Sequence, residues 1–302
     1  MANGDDEGGR MERALGAYLG LAVGDALGAT VEFLSPEQIV TRFGVHREII
    51  GGGWLHLAAG EVTDDTEMSL ALGDALLSAQ GLDMVQVAEA FVAWLRSGPR
   101  DCGDICRVGI RRYLDNGSLV APARRSAAGN GALMRNLPVV LACLDDEARL
   151  CAWSLAQGRF THNHGYSDGA LQSLGRVTAA LVRGESKERA MHYVSTLVKE
   201  EPAFEYRGYR GLATGYVVDT VRTVLAAFDE ADDFETAVVH AVNRGDDADT
   251  TGAIVGMLAG ARFGRRAIPQ RWLARIDPAV VDAITRQVPR LLAMNRRGGE
   301  GG

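Results

Sequence analysis

The chain has 302 residues, 47% of them apolar, and a formal net charge of −7. That is enough apolar surface for one large core, and too acidic a balance for a nucleic-acid footprint, which needs a clustered basic face. Arg111-Arg112, Arg124-Arg125 and Arg265-Arg266 are short, dispersed pairs, so no nucleic-acid partner is expected.

No linker interrupts the sequence, and one domain over 1–302 is expected. The Gly-rich polar segments 1–10 and 297–302 are expected to be disordered tails that cannot offset ordering entropy. Cys102, Cys106, Cys143 and Cys151 lack both a signal-peptide pattern and a zinc-type Cys/His partner pattern. They are read as free thiols of a cytoplasmic protein.

In chain order, residues 12–30 carry Ala14, Leu15, Tyr18, Leu19, Ala22, Val23, Ala26 and Leu27 at helical spacing. Asp25 inside this stretch, with no second span, argues for a buried core helix rather than a membrane helix. Gly16, Gly20, Gly24 and Gly28 recur every four residues there, which lowers helix propensity and calls for a compensating close approach. The same ladder returns in Gly252, Gly256, Gly260 and Gly264, so two glycine-faced helices are expected to cross, with i±4 ridges interdigitated. A short helix within 35–47 leads to a loop at Gly51-Gly52-Gly53-Trp54. Further helices are expected at 65–80, 84–96, 103–115, 132–144, 150–160, 167–182, 186–199, 216–228, 234–243, 250–263 and 278–294. No stretch sustains a period of two, so the fold class is all-α.

Two helix mouths are rich in oxygen ligands. Thr63-Asp64-Asp65-Thr66 opens the helix at 65–80, and Asp246-Asp247-Ala248-Asp249-Thr250-Thr251 opens that at 250–263. Asp64 with Glu67 also reads as a capping box, an ordinary use of acids at a helix start. Two such clusters point instead to one shared site, because crowded carboxylates repel unless a cation neutralises them. Oxygen-only ligation favours magnesium or manganese over zinc, and the spacing does not fit an EF-hand.

Other stretches carry polar groups at helix ends. Gly129-Asn130-Gly131 is a glycine-flanked turn suited to ribose or phosphate oxygens, or a plain loop. In Thr161-His162-Asn163-His164 the imidazoles read as structural or substrate-contacting. Tyr216 is either core or a ring offered to a purine. Asp101, in a turn between helices, is either an N-cap or an acid/base group. Glu32, beyond a very apolar helix, is either an exposed helix-end acid or a general acid or base with a raised pKa.

Taken together, Gly24-Asp25-Ala26-Leu27-Gly28, Thr63-Asp64-Asp65-Thr66, Gly129-Asn130-Gly131-Ala132 with Met134-Arg135, Thr161-His162 and Asp247-Ala248-Asp249-Thr250 resemble the ADP-ribosylglycohydrolase family in order and spacing. The resemblance covers nearly the whole chain. It implies a single multi-helix orthogonal bundle with two divalent metal ions, manganese or magnesium, held by Thr63, Asp64, Asp65, Asp247, Asp249 and Thr250. It also implies Asp101 and Glu32 flanking the scissile ribose, and Asn130, Gly131, Met134, His162 and Tyr216 in the substrate cleft.

Longer runs resemble members from nitrogen-fixing bacteria. They imply removal of ADP-ribose from an arginine of the nitrogenase iron protein. They also imply control by a PII-type nitrogen signal protein, and reversible recruitment to the inner membrane through an ammonium channel. The alternatives are a member acting on a serine, DNA-base or O-acetyl linkage, or a non-catalytic relative that only binds ADP-ribose. One departure is visible: Asp246 stands after Gly245 where the family usually has a second glycine. Asp tolerates positive φ better than most residues but less well than Gly.

Overall fold

The computed structural model describes residues 2–297, and its regular structure is helical, with no named strand among the described residues. The helices are α1 (Ala2–Gly28), α2 (Pro36–Phe43), α3 (Asp64–Ala79), α4 (Met84–Arg96), α5 (Asp104–Asn116), α6 (Leu137–Ala142), α7 (Glu147–Arg159) and α8 (Gly165–Val182). They continue with α9 (Lys187–Ala190), α10 (His192–Glu200), α11 (Val217–Glu230), α12 (Phe234–Val242), α13 (Ala248–Phe263), α14 (Gln270–Leu273) and α15 (Pro278–Arg297). The all-α expectation therefore holds.

At the centre lie α1 and α13, antiparallel and packed backbone to backbone, with α3, α8, α11, α12 and α15 around them. Gly16 faces Gly260, Gly20 faces Gly256 and Gly24 faces Gly252. At each of these positions an added Cβ would overlap or crowd the opposing carbonyl. That close approach offsets the low helix propensity of glycine. Gly28 continues the row against Ala248, where the crossing reaches the acidic end of α13. Gly264 is not part of the row: it ends α13 with φ 79°, a position that suits glycine as a helix stop.

One buried apolar cluster extends from Ala14 to Leu291 and includes Tyr18, Leu21, Phe91, Phe160, Phe228 and Trp272. No helix among the described residues is long and apolar enough to cross a membrane. Ala14, Tyr18, Leu21, Ala22 and Leu27 are buried in the apolar cluster, so α1 is a core helix as its Asp25 implied. Cys102, Cys106, Cys143 and Cys151 are all free thiols, the first three buried.

Several boundaries differ from the sequence expectations. Residues 2–9, expected within a tail, are the first turns of α1, because extending an established helix adds a hydrogen bond for each residue fixed. Residues 298–302 of the second expected tail lie outside the described residues. The helix expected from 132 begins only at Leu137: Pro138 sits in its first turn, where a missing N–H costs nothing. The helix expected over 186–199 is divided into α9 and α10 at Met191.

Candidate metal centre and substrate cleft

The site forms where the first turns of α3 and α13 meet beside the C-terminal end of α1. Asp25, buried in α1, accepts from Thr63 N at 3.0 Å, from Thr66 N at 3.1 Å and from Thr66 Oγ1 at 2.5 Å. A carboxylate from another helix therefore satisfies the unpaired N–H groups at the start of α3 and suits the positive end of its dipole. The capping-box reading of Asp64 and Glu67 is thereby corrected. Thr63 is the N-cap residue without a side-chain cap bond, and Glu67 accepts from Trp94 Nε1 at 2.7 Å.

With α3 anchored from behind, Asp64 and Asp65 are free to face α13. Asp65 is fully buried, and its Oδ2 accepts from Thr250 Oγ1 at 3.2 Å and Thr63 Oγ1 at 3.3 Å. The Thr63 hydroxyl also lies 3.4 Å from Asp249 Oδ2. The two oxygen-rich mouths thus meet across 186 residues of chain. Asp64 Oδ2 accepts from Gly103 N at 3.1 Å, and Asp247 Oδ2 accepts from Asn130 Nδ2 at 2.6 Å. Oxygens of Glu32, Asp247 and Asp249 all lie within 4.8 Å of one another. Glu32, expected as an acid or base at the ribose, therefore also stands within ligating reach of a cation.

The electrostatics are those of a site built for positive charge. Burial first, then neighbouring carboxylates, pushes the Asp64 carboxyl up to about 8 and holds Asp65 and Asp249 well above the carboxylate range. Glu32 is pushed up to about 8 by burial, against the lowering bond from Trp54 Nε1 at 2.6 Å. Asp65 Oδ1 is buried without any hydrogen-bond partner. An orphaned carboxylate oxygen inside an all-oxygen donor set fits a hard divalent cation and little else. Thr63, Asp64, Asp65, Asp247, Asp249, Thr250 and Glu32 are the residues able to hold it.

A cavity of about 480 Å³ opens over this cluster. Glu32, Asp64, Asp247, Asp249 and Thr250 form part of its lining, and Asp101, Asn130, Gly131, Met134 and His162 form more of it; Thr63 and Asp65 lie beneath the lining. Asp101 is half-buried, accepts from Cys102 N at 2.7 Å, and has its carboxyl raised by burial despite the opposing pull of Arg107.

His162 is buried against the glycine turn. A Cβ on Gly129 would lie 3.0 Å from its Nε2, and one on Gly131 would lie 3.0 Å from its Cε1. Its Nδ1 is 2.7 Å from Thr161 Oγ1, which accepts from the fully buried Arg135 at 2.8 Å. The Thr161 hydroxyl proton is then free to donate to Nδ1, an arrangement that leaves hydrogen on Nε2. Burial and Arg135 hold the imidazole well below its ordinary pKa, so it is a neutral donor.

Tyr216 does not line this cavity. It is 42% exposed at the N-cap of α11, pairs its backbone with Gly129, and sets its ring 6.4 Å from Tyr166. His164 caps α8 by accepting from Tyr166 N. Asp246 does adopt positive φ, 56°, and Gly245 before it has φ 67°. Sequence reasoning gave no functional role to Trp54, which holds Glu32, and used Asp25 only to argue against a membrane helix and as part of a family motif. The signal available for Asp25 was a lone acid in an otherwise apolar helix.

The ADP-ribosylglycohydrolase family model matches residues 6–300. The chain is 49% identical over 283 residues to the ADP-ribosyl-[dinitrogen reductase] glycohydrolase of Rhodospirillum rubrum, covering 94% of this chain and 96% of that protein. It is 34% identical to the ADP-ribosylarginine hydrolase Tri1 of Serratia proteamaculans, covering 88% and 75% of the two chains. A solved structure described as an ADP-ribosylglycohydrolase-related protein complex superposes with a TM-score of 0.83 at 34% identity, covering 95% of this chain and 99% of that one. Fold, cluster and sequence therefore agree that this chain belongs to the ADP-ribosylglycohydrolase family.

Proposed function

We propose that the protein is a dinuclear-metal hydrolase that releases ADP-ribose from an ADP-ribosylated arginine of the nitrogenase iron protein. The observation that carries the hydrolase reading is the convergence of Asp64, Asp247 and Asp249 on one cavity, with Asp65 buried beneath them and its Oδ1 left without a partner. The arginine linkage and the iron protein rest on the 49% identity to the Rhodospirillum rubrum glycohydrolase.

Two divalent ions, manganese or magnesium, held by Thr63, Asp64, Asp65, Asp247, Asp249 and Thr250, would supply Lewis-acid stabilisation of charge developing on ribose oxygens. The chain's own groups do the rest. Asn130, fixed by Thr220 Oγ1 at 3.0 Å and by Asp247, and the neutral His162 orient the substrate in the cleft. Asp101 shuttles a proton at the ribose hydroxyls or the attacking water, since it lines the cavity and burial raises its carboxyl pKa, which favours taking up a proton. Glu32, in the same cavity lining, assists and keeps its place through Trp54. Guanidine leaves poorly unless protonated, which favours opening of the ribose ring to a protonated Schiff base at C1.

Control by a PII-type nitrogen signal protein, and reversible recruitment to the inner membrane through an ammonium channel, complete this reading; resemblance to members from nitrogen-fixing bacteria supports them. The test is release of free ADP-ribose from ADP-ribosylated iron protein with manganese present, beside a serine-linked ADP-ribosyl peptide. Release from the arginine substrate alone is expected. Release from the serine peptide alone would replace the reading with another family linkage, and release from neither would remove the hydrolase.

A further inference from the structure

We propose that Phe33 and Trp54 form an aromatic platform at the cavity mouth that takes the planar guanidinium side of the substrate. They would thereby select arginine-linked ADP-ribose over linkages that carry no cation. The proposal deepens the arginine reading above and rests on it.

Both side chains line the cavity, yet Phe33 is 61% and Trp54 47% exposed. Their ring centroids stand 5.3 Å apart with the planes at 48°. Two large aromatic faces left in water beside a cluster of carboxylates gain nothing from burial, so the fold itself does not explain them.

Phe33 is moreover held where a bulky residue is disfavoured, at φ 61° in the left-handed region. The constraint comes from Asp246, itself at φ 56°. Phe33 N donates to Asp246 O at 2.7 Å, and Asp246 N donates to Leu34 O at 2.9 Å. This reciprocal pair joins the segment after α1 to the segment before α13 and aims the Phe33 ring at the mouth rather than into the core. Trp54 follows three glycines of positive φ, and Gly53 packs against the backbone of Ala29. Its indole N–H is tied to Glu32 Oε2 at 2.6 Å, so the ring is fixed while its apolar surface stays uncovered.

Charge decides what such a platform receives. Asp101, Asp104 and Asp246, none of them assigned to the metals, all line the same cavity. Arg107, which lines it too, is engaged by Cys102 O at 2.9 Å. A cation is therefore drawn to this mouth. Guanidinium is the side-chain cation best suited to lie flat on aromatic rings, being planar, delocalised and weakly hydrated. The leaving arginine of the substrate carries that group.

The test compares wild type with Phe33→Gly, Phe33→Leu and Phe33→Tyr in the manganese-loaded enzyme. Glycine accepts positive φ without strain, so Phe33→Gly should melt no lower than wild type and removes only the ring. Phe33→Gly and Phe33→Leu should raise KM for ADP-ribosylarginine by about 3- to 10-fold. The calorimetric Kd for free ADP-ribose, which lacks the guanidinium, should stay within about twofold of wild type, a change too small to reflect a lost cation–π contact. Phe33→Tyr should restore the KM.

An unchanged KM in both ring-deleted variants overturns the platform. So does an equal loss of ADP-ribose affinity, or a Phe33→Tyr variant no better than Phe33→Leu. If wild type does not turn over ADP-ribosylarginine, the functional reading fails on its own. The Kd of that compound then replaces KM, and equal Kd values in wild type and Phe33→Gly overturn the platform separately.

Discussion

Gly24 of α1 and Gly252 of α13 meet backbone to backbone: a Cβ on Gly252 would stand 2.5 Å from the Gly24 carbonyl oxygen, and one on Gly24 would overlap that of Gly252. Neither neighbour is a flexible side chain that could yield, so Gly24→Ala must push the two central axes apart. Overpacking in a tight interior costs about 1–3 kcal/mol and more where backbone is the obstacle. We expect Gly24→Ala to lower Tm by several degrees or prevent folding. Gly81→Ala, whose added Cβ meets nothing within 4 Å, should melt close to wild type. Equal melting of both variants would contradict the role given to the glycine row. The next residue is Asp25, so a folded Gly24→Ala should also bind manganese more weakly.

Metal dependence follows from the joint site at α3 and α13. Asp64→Ala removes a donor from one mouth and Asp247→Ala from the other. Each should weaken manganese binding in a calorimetric titration while far-ultraviolet circular dichroism keeps its helical signal. Chelation should abolish turnover, and added manganese should restore it. Full activity in either variant without added metal, or after chelation, would show that the two mouths do not share a cation.

How much of this was legible in the sequence depends on how far each contact reaches along the chain. The glycine spacing announced the central crossing, because a period of four survives as a ridge on one helix face. Asp64-Asp65 and Asp247-Ala248-Asp249 were legible as acid clusters at helix mouths, and their meeting followed from charge repulsion rather than from any local pattern. By contrast, Asp25 caps α3 from 38 residues away and Trp54 holds Glu32 from 22 residues away. Glu67 was misread as half of a capping box because local spacing allows that bond, and only the fold brings Trp94 close enough to take it. Tyr216 resembled a cleft residue by position in a motif, yet the strip Gly215–Val217 pairs with the 128–130 loop through its backbone and carries the ring outside the cavity lining.

The buried carboxylates set a pH dependence with a definite sign. Burial raises Asp25 to about 7 and Glu32 and Asp64 to about 8 in the folded protein, whereas unfolded carboxyls titrate near ~4. Between those limits the folded state binds more protons than the unfolded state, so metal-free stability falls as pH rises through the window. We expect the chelated protein to melt higher at pH 5 than at pH 8. Manganese, which binds the ionised folded form, should raise Tm more at pH 8 than at pH 5. Asp64→Asn should flatten the metal-free slope. A chelated protein that becomes more stable from pH 5 to pH 8 would show that these carboxyls are not held protonated by burial.

The sharpest test of the chemistry is Asp101→Asn. Asp101 lies in the turn before α5 and His162 follows α7, so separate elements deliver the two groups to one cavity. Its carboxylate accepts from Cys102 N at 2.7 Å and acts on the metal residues through charge, helping to raise the Asp64 carboxyl. Asn retains the size and the acceptor oxygen for that bond while losing the capacity to give or take a proton. Removing a positioned acid/base group costs about 10²–10⁴-fold in rate. We therefore expect kcat to fall by that order, with manganese and ADP-ribose binding preserved in calorimetry. Normal turnover would exclude Asp101 as the proton shuttle. Loss of turnover together with loss of manganese would make it a support for the metal centre, because a group that acts only on protons leaves the cation affinity in place.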